Sequence, residues 1–100
     1  MKAKTGREGR CYELAWKRIS ENYEGTLIHA SVHSFSLKIR MGHAFVETES
    51  GDVVWEPVSD RYFLKADLYE YFEVVEIARY SPEEAMINAA KYGTYGPWEG

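Results

Sequence analysis

The feature that most constrains the fold of this chain is a pair of neighbouring segments, residues 41–48 and 53–58. Both segments are rich in β-branched and aromatic side chains, which favour β-strands. Ser50 and Gly51 lie between them and are typical turn residues. The pattern therefore predicts an antiparallel β-hairpin, and the rest of the chain is interpreted around it.

The register of this hairpin places a histidine beside an acid. With a two-residue loop, Glu47 faces Val54 and Phe45 faces Glu56, and facing residues share one side of the sheet. His43 then lies on the same side as Glu56 and diagonal to it, at about 7–8 Å, which the two side chains can span. A carboxylate that contacts an imidazole fixes its tautomer and supports its protonated form. The pair is two thirds of a catalytic triad that still lacks a nucleophile.

Cys11, the only cysteine of the chain, is the candidate nucleophile. Apolar residues recur at helical spacing after it and predict a helix over residues 11–23, which we expect Gly25 to end. A thiol in the first turn of a helix has a lowered pKa because it lies at the positive end of the helix dipole, and Arg10 acts in the same direction. The apolar face of the helix is expected to direct Cys11 toward the sheet that carries His43.

The order of these groups resembles that of papain-like cysteine enzymes, and the closest likeness is to the transglutaminase-like branch. That branch has a His-Ala-Trp-Val-Glu strand followed by a strand ending in Trp and then Asp-Pro. Here residues 43–47 read His-Ala-Phe-Val-Glu and residues 55–57 read Trp-Glu-Pro. The resemblance covers about half of the chain. It implies that Cys11 is the nucleophile, His43 the base and Glu56 the acid that orients the ring, although the family pattern has Asp at the last position and a longer core.

This resemblance implies a cysteine-dependent acyl-transfer enzyme, namely a peptidase, an amidase or a transglutaminase-like enzyme with a Cys-His-Glu triad and no cofactor. The backbone N–H of Cys11 is expected to be one oxyanion donor. The expected substrate is a peptide, a protein or a small amide. The alternative is a non-catalytic peptide- or protein-binding module on the same fold, in which Cys11 is a buried small hydrophobic residue.

Other polar residues near the predicted triad have alternative interpretations. Glu47 shares the face of the histidine but lies nearer the turn, where we expect it to be solvated, and Asp60 replaces Glu56 as the third member if the hairpin loop is longer. His29 and His33 lie on a strand predicted over residues 26–36. No tight Cys/His spacing supports a zinc site, so we predict no metal. We expect His29 to line the active cleft, because its strand is predicted to neighbour the hairpin.

The remaining segments complete an α+β pattern. Residues 61–71 predict a short helix capped by Ser59 or Asp60, and residues 72–80 predict a last strand. Residues 81–84, Ser-Pro-Glu-Glu, are a capping box with proline at the first helical position. We therefore expect an N-terminal helix carrying the cysteine, packed on an antiparallel sheet of about four strands, with a C-terminal helix.

Composition limits the domain organisation and the class of partner. One hundred residues form a single domain, assigned to residues 11–100, after a basic leader over residues 1–10 that we expect to be flexible. A net charge of −4 argues against binding to nucleic-acid phosphates. A lone cysteine cannot form an internal disulfide, and no apolar run reaches the length of a membrane span or a signal sequence. The sequence thus predicts a soluble, cytoplasmic protein that binds neither nucleic acid nor membranes.

Overall fold

The computed structural model describes residues 9–99. The leader predicted over residues 1–10 therefore lies outside the described residues, except for its last two positions. The elements in chain order are α1 (Cys11–Asn22), β1 (Thr26–Ser34), β2 (Ile39–Glu47), β3 (Val53–Glu56), β4 (Arg61–Leu64), α2 (Lys65–Tyr71), β5 (Val75–Tyr80) and α3 (Pro82–Tyr92). None of the helices described is long and apolar enough to cross a lipid bilayer.

The five strands form one antiparallel sheet in the order β4-β3-β2-β1-β5, so the predicted α+β architecture is confirmed. The predicted hairpin register is also present, because Glu47 pairs with Val54. The N–H of Thr48 donates to the carbonyl of Val53 at 2.9 Å and closes a loop over residues 49–52. This loop is two residues longer than predicted, yet the register is unchanged, because both strands stop one pair earlier.

Helices cover both faces of the sheet, because successive side chains of a strand point to opposite sides. On one face α1 and α3 pack on strands β1 to β3, and the buried cluster comprises Ala15, Ile19, Leu27, Ala44, Val46, Trp55 and Ala85. On the other face α2 packs on the same strands, and the buried cluster comprises Ile28, Ala30, Phe45, Val54 and Leu68. The sheet is therefore the middle layer of the domain.

Three kinds of contact fix the orientation of α1. Ala15 and Ile19 are fully buried against the sheet. The indole N–H of Trp16 donates to the carbonyl of Ala85 at 3.0 Å and joins α1 to α3. The Arg18 guanidinium lies 4.5 Å from the centre of the Trp55 ring and ties the helix to β3. The helix N-terminus is thus held in one position relative to β2 and β3.

The sheet has five strands rather than about four, because residues 61–64 form the edge strand β4. The prediction of a single helix over residues 61–71 was wrong for residues 61–64, since those four residues pair with β3. Helix α2 begins only at Lys65, and no side chain caps it, so the predicted cap at Ser59 or Asp60 was also wrong. The apolar spacing of this short segment fits both a helix and a strand.

The two longer helices have the predicted starts. Ser81 accepts a hydrogen bond from the N–H of Glu84 at 3.1 Å, and the Glu84 carboxylate accepts one from the N–H of Ser81 at 2.9 Å, which is the predicted capping box. Helix α1 starts at Cys11 as predicted. It ends with Tyr23, rather than Gly25, in the left-handed conformation that closes the helix.

Candidate active site

The site forms where the pairing between β2 and β3 ends. These two strands are paired at Val46 with Trp55 and at Glu47 with Val54, and the ladder stops there. Closer to the start of β2, the N–H of Ala44 donates to the Cys11 thiol. The N-terminus of α1 is therefore inserted beside β2 at the point where β3 no longer pairs with it.

The predicted contact between histidine and acid is present. The Nε2 atom of His43 lies 2.8 Å from Oε2 of Glu56. The turn after β3 holds this carboxylate, because the N–H groups of Val58 and Ser59 donate to it at 3.0 and 2.7 Å. Burial raises the pKa of Glu56, but the hydrogen bond with His43, together with those from Ser59 and Val58, outweighs burial and brings the pKa to about 2. Glu56 is thus a fixed anion over most of the pH range.

Cys11 completes the arrangement from the first position of α1. Its thiol is hydrogen-bonded to the ring of His43, and since Nε2 faces Glu56, the ring presents Nδ1 to the sulfur. Burial raises the pKa of Cys11. The hydrogen bond and charge of His43, together with the N–H groups of Ala44 and Tyr12, outweigh burial and bring the pKa below its usual value.

The pKa of His43 moves in the complementary direction. Burial lowers the pKa of the ring, but its contacts with Cys11 and Glu56 raise it to about 9. The titrations of the sulfur and the ring are coupled, and both changes favour the same state, a thiolate beside an imidazolium. This is the protonation state that a cysteine nucleophile needs for attack on a carbonyl carbon.

The backbone at the start of α1 can serve the oxyanion. The first N–H groups of a helix have no acceptor inside it, and the first intrahelical bond of α1 runs from the N–H of Leu14 to the carbonyl of Arg10 at 2.8 Å. The N–H of Tyr12 contacts the Cys11 sulfur. The N–H of Cys11, the first residue of α1, is one of these groups, so it is available as the predicted oxyanion donor.

The three groups open into a cleft of about 600 Å³ on the α2 face of the sheet. This volume suits a small ligand or part of a peptide. Apolar and aromatic side chains form most of the wall: Val32, Phe35, Met41, Phe45, Val58, Leu68, Tyr71, Phe72 and Val74. We call this the apolar cleft. A further cavity, of about 830 Å³, lies between α1 and α3 and contains none of the three groups.

Glu47 and Asp60, the two other acids near the predicted triad, have partners other than His43. Glu47 was expected to be solvated, but it is buried on β2 and bonded to Lys65 at 2.5 Å and to Arg79 at 2.6 Å. This expectation was wrong because α2 and β5 supply cations that the local sequence does not reveal. Asp60 accepts a hydrogen bond from the indole of Trp55 at 3.0 Å. Glu56 is therefore the acid that reaches the histidine.

His29 does not line the active cleft, so that prediction was wrong. Its strand neighbours β2 as predicted, but His29 pairs with Ala44 while Ala30 pairs with His43, which puts the two histidines on opposite faces. The His29 ring is fully buried, and its Nδ1 lies 2.8 Å from the carboxylate of Glu99. Its Nε2 has no hydrogen-bond partner among residues 9–99. Burial lowers the pKa of His29, and Glu99 opposes this only in part.

No cluster of three or more His, Cys, Asp or Glu side chains among the described residues is arranged to hold a metal ion. His33 does line the apolar cleft, where its ring makes an edge contact with Phe35 at 4.7 Å between centroids. Neither histidine of β1 contributes to the Cys11–His43–Glu56 cluster.

Sequence reasoning missed two features of the site. The first is the N–H of Ala44, which carries no sequence signal because its role depends on where the β2–β3 ladder stops. The second is the apolar cleft, for which an aromatic content of 15% was the only signal. Gly42 also has a role in the site, because a Cβ atom there would lie 2.6 Å from the Tyr12 hydroxyl. A side chain at residue 42 would therefore displace the Tyr12 hydroxyl.

Comparison of the chain with models of known protein families gives no match. No curated protein and no solved structure matches it either, so the geometry of the site carries the functional argument.

Proposed function

We propose that this protein is a cysteine-dependent acyl-transfer enzyme with a Cys11-His43-Glu56 triad, of the papain-like type and similar in its motifs to the transglutaminase-like branch. The observation that carries the proposal is the convergence of a thiol, an imidazole and a carboxylate from three separate elements. A structural cysteine needs no such partners, and a lowered thiol pKa beside a raised imidazole pKa is typical of a nucleophile.

The reaction follows from these positions. The Cys11 thiolate adds its electron pair to the carbonyl carbon of a peptide, protein or small amide, and the carbonyl π-electrons move to the oxygen beside the N–H of Cys11. The intermediate collapses, the C–N bond breaks, and the leaving amine takes the proton of the His43 imidazolium. The product of this half is a thioester on Cys11. His43 is then neutral and can act as a base.

In the second half water or an amine attacks the thioester, and His43 takes the proton that the attacking molecule loses. The C–S bond breaks, the electron pair returns to the sulfur, and Cys11 is again a thiolate beside an imidazolium. Glu56 keeps the ring oriented in both halves. A reducing compartment such as the cytoplasm keeps the thiol in its active form.

The first test is alkylation of Cys11 by iodoacetamide at pH 6, followed by intact mass, which counts one adduct because the chain has one cysteine. The wild-type protein should react at least tenfold faster than His43→Ala, since that variant loses the imidazolium. His33→Ala is the matched control, because His33 lines the same cleft without contacting the sulfur, and its rate should equal that of the wild type. Equal rates for wild type and His43→Ala would contradict the proposal.

The second test separates an enzyme from a binding module on the same fold. A p-nitrophenyl ester of a simple acyl group should transfer that group to Cys11, as a mass increase that is transient in the wild type and missing in Cys11→Ala. His43→Ala should release the acyl group more slowly, because deacylation needs the base. A thiol that alkylates quickly but never accepts an acyl group would favour the binding module.

A further inference from the structure

Most side chains in the wall of the apolar cleft are uncharged. Cys11, His43 and Glu56 line the cleft, and the other lining residues that the structure describes include no lysine, arginine or aspartate. Glu56 is the one carboxylate among the described lining residues, and it is bonded to His43 at 2.8 Å. Away from the Cys11–His43 pair, whose charges face each other, a charged substrate group would therefore lose its hydration without gaining a lysine, arginine or carboxylate as an ion-pair partner.

The floor of the cleft is part of the domain core. Phe45 and Leu68 belong to the buried cluster on the α2 face, and Phe72 and Val74 pack against it. The Phe45 ring also contacts the ring of Tyr69 on α2, which packs against the same cluster, at 5.8 Å between centroids. Such a floor does not rearrange to supply polar groups, because its side chains are fixed by packing.

The rim of the cleft is aromatic and exposed. Phe35, from the β1–β2 connection, and Tyr71, at the end of α2, lie 5.2 Å apart between ring centroids and are about half and two thirds exposed. Met41 at the start of β2 is also exposed. These side chains stay in water in the free protein although each has a large apolar surface. Burial by an apolar group that enters the cleft would be favourable.

We infer that the apolar cleft binds the acyl side of the substrate and selects an acyl group with a bulky apolar side chain. This inference rests on the proposed function and names the substrate class of the same site. The shared chemistry is a branched aliphatic, aromatic or fatty acyl chain beside the reacting carbonyl. Because Cys11 lies in the wall of the cleft, an acyl chain that fills the cleft holds its carbonyl beside the sulfur.

The test measures acylation of Cys11 by five p-nitrophenyl esters at pH 6.5, with intact mass and p-nitrophenolate release as readouts. The acyl groups are N-acetyl-phenylalanyl, N-acetyl-leucyl, octanoyl, N-acetyl-glycyl and N-acetyl-glutamyl. The phenylalanyl and leucyl esters should react at least tenfold faster than the glycyl and glutamyl esters. If the octanoyl ester reacts as fast as the phenylalanyl ester, the cleft accepts any apolar acyl chain. If the octanoyl ester reacts near the glycyl rate, the cleft selects an apolar amino-acid side chain. Equal rates for all five would overturn the inference.

Variants at the rim connect this preference to the cleft. Phe35→Ser and Tyr71→Ser should each reduce the ratio of phenylalanyl to glycyl rates at least threefold, and folding is little affected because both side chains are exposed. Tyr92→Ser is the matched control, because Tyr92 is also half exposed but lies on α3 outside the cleft. An unchanged ratio in both rim variants would refute the assignment to this cleft.

Iodoacetamide labelling of the same samples distinguishes a failure of the acyl preference from a failure of the proposed function. Rapid labelling at pH 6 without any acyl preference would remove the inference and leave the proposed function intact. Slow labelling of the wild-type protein would remove the proposed function, and the inference with it. The rim variants should keep the wild-type iodoacetamide rate, since that reagent has no acyl chain to fill the cleft.

Discussion

Replacement of Glu56 by glutamine should uncouple the ring from its acid while changing the volume of the side chain very little. The pKa of His43 is about 9, against an ordinary value of 6.5, although burial alone would lower it. At 1.36 kcal/mol per pKa unit, the contacts with Cys11 and Glu56 therefore favour the charged ring by at least about 3 kcal/mol. If the carboxylate supplies a third to a half of this, its removal lowers the pKa of His43 by about one.

The prediction is that the His43 ring loses its proton about one pH unit lower in Glu56→Gln than in the wild-type protein. At pH 6 the ring is charged in both proteins, so their iodoacetamide rates should agree within about threefold. The assay is an NMR titration of the His43 ring from pH 5 to 11, with alkylation at pH 6 read by intact mass. A ring midpoint equal to that of the wild-type protein would refute the reasoning.

Stability has to be separated from reactivity in this variant. Both oxygens of Glu56 accept hydrogen bonds from backbone N–H groups, so either orientation of the glutamine amide sets a donor against a donor. This costs about 1–3 kcal/mol, measured as the free energy of unfolding in urea. Glu47→Gln is the matched control, since it removes another buried, ion-paired carboxylate of the same sheet. It should be destabilised similarly, yet keep the wild-type titration of His43.

Three further predictions concern the fold. Ser81→Ala removes the cap of α3 and should lower the free energy of unfolding by about 1 kcal/mol, measured by urea denaturation, whereas no change would mean that the capping box is not formed in solution. Gly25→Ala should be more destabilising than Gly51→Ala, because both have positive φ angles but only a Cβ at Gly25 would meet a backbone oxygen, that of Glu47 at 2.4 Å; the melting temperatures of the two variants test this order. The pKa of Glu56 falls from 4.5 to about 2 on folding, so its stabilisation is present above pH 4.5 and is lost as the pH falls toward 2. Urea titrations at pH 6 and pH 3 should show a smaller loss in Glu56→Gln than in the wild type, and equal losses would contradict the low pKa.

The sequence predicted best what depends on local alternation. The register of the β2–β3 hairpin follows from apolar side chains that must face the core, because a slip of one residue would turn all of them outward. The contact between His43 and Glu56 is a direct consequence of that register. The start of α1 at Cys11 and the capping box of α3 were also readable, since both depend on a few adjacent residues.

What the sequence did not predict depends on contacts between distant segments. Residues 61–64 form a strand because they pair with the free edge of β3. Their own side-chain pattern does not decide between helix and strand. His29 was wrongly predicted to line the active cleft, because the β1–β2 register that decides its face depends on the turn between the strands. Its partner Glu99 lies seventy residues further along the chain. The cations that bind Glu47 likewise come from α2 and β5.

The short ladder between β2 and β3 has a consequence for how the thiol can be used as a reporter. The sulfur becomes acidic only when α1, β2 and the turn after β3 are all in place, so an unfolded chain carries an ordinary thiol at the same position. Selective alkylation at mildly acidic pH therefore counts native molecules. In a denaturant series the labelled fraction would follow the folded population without any added probe.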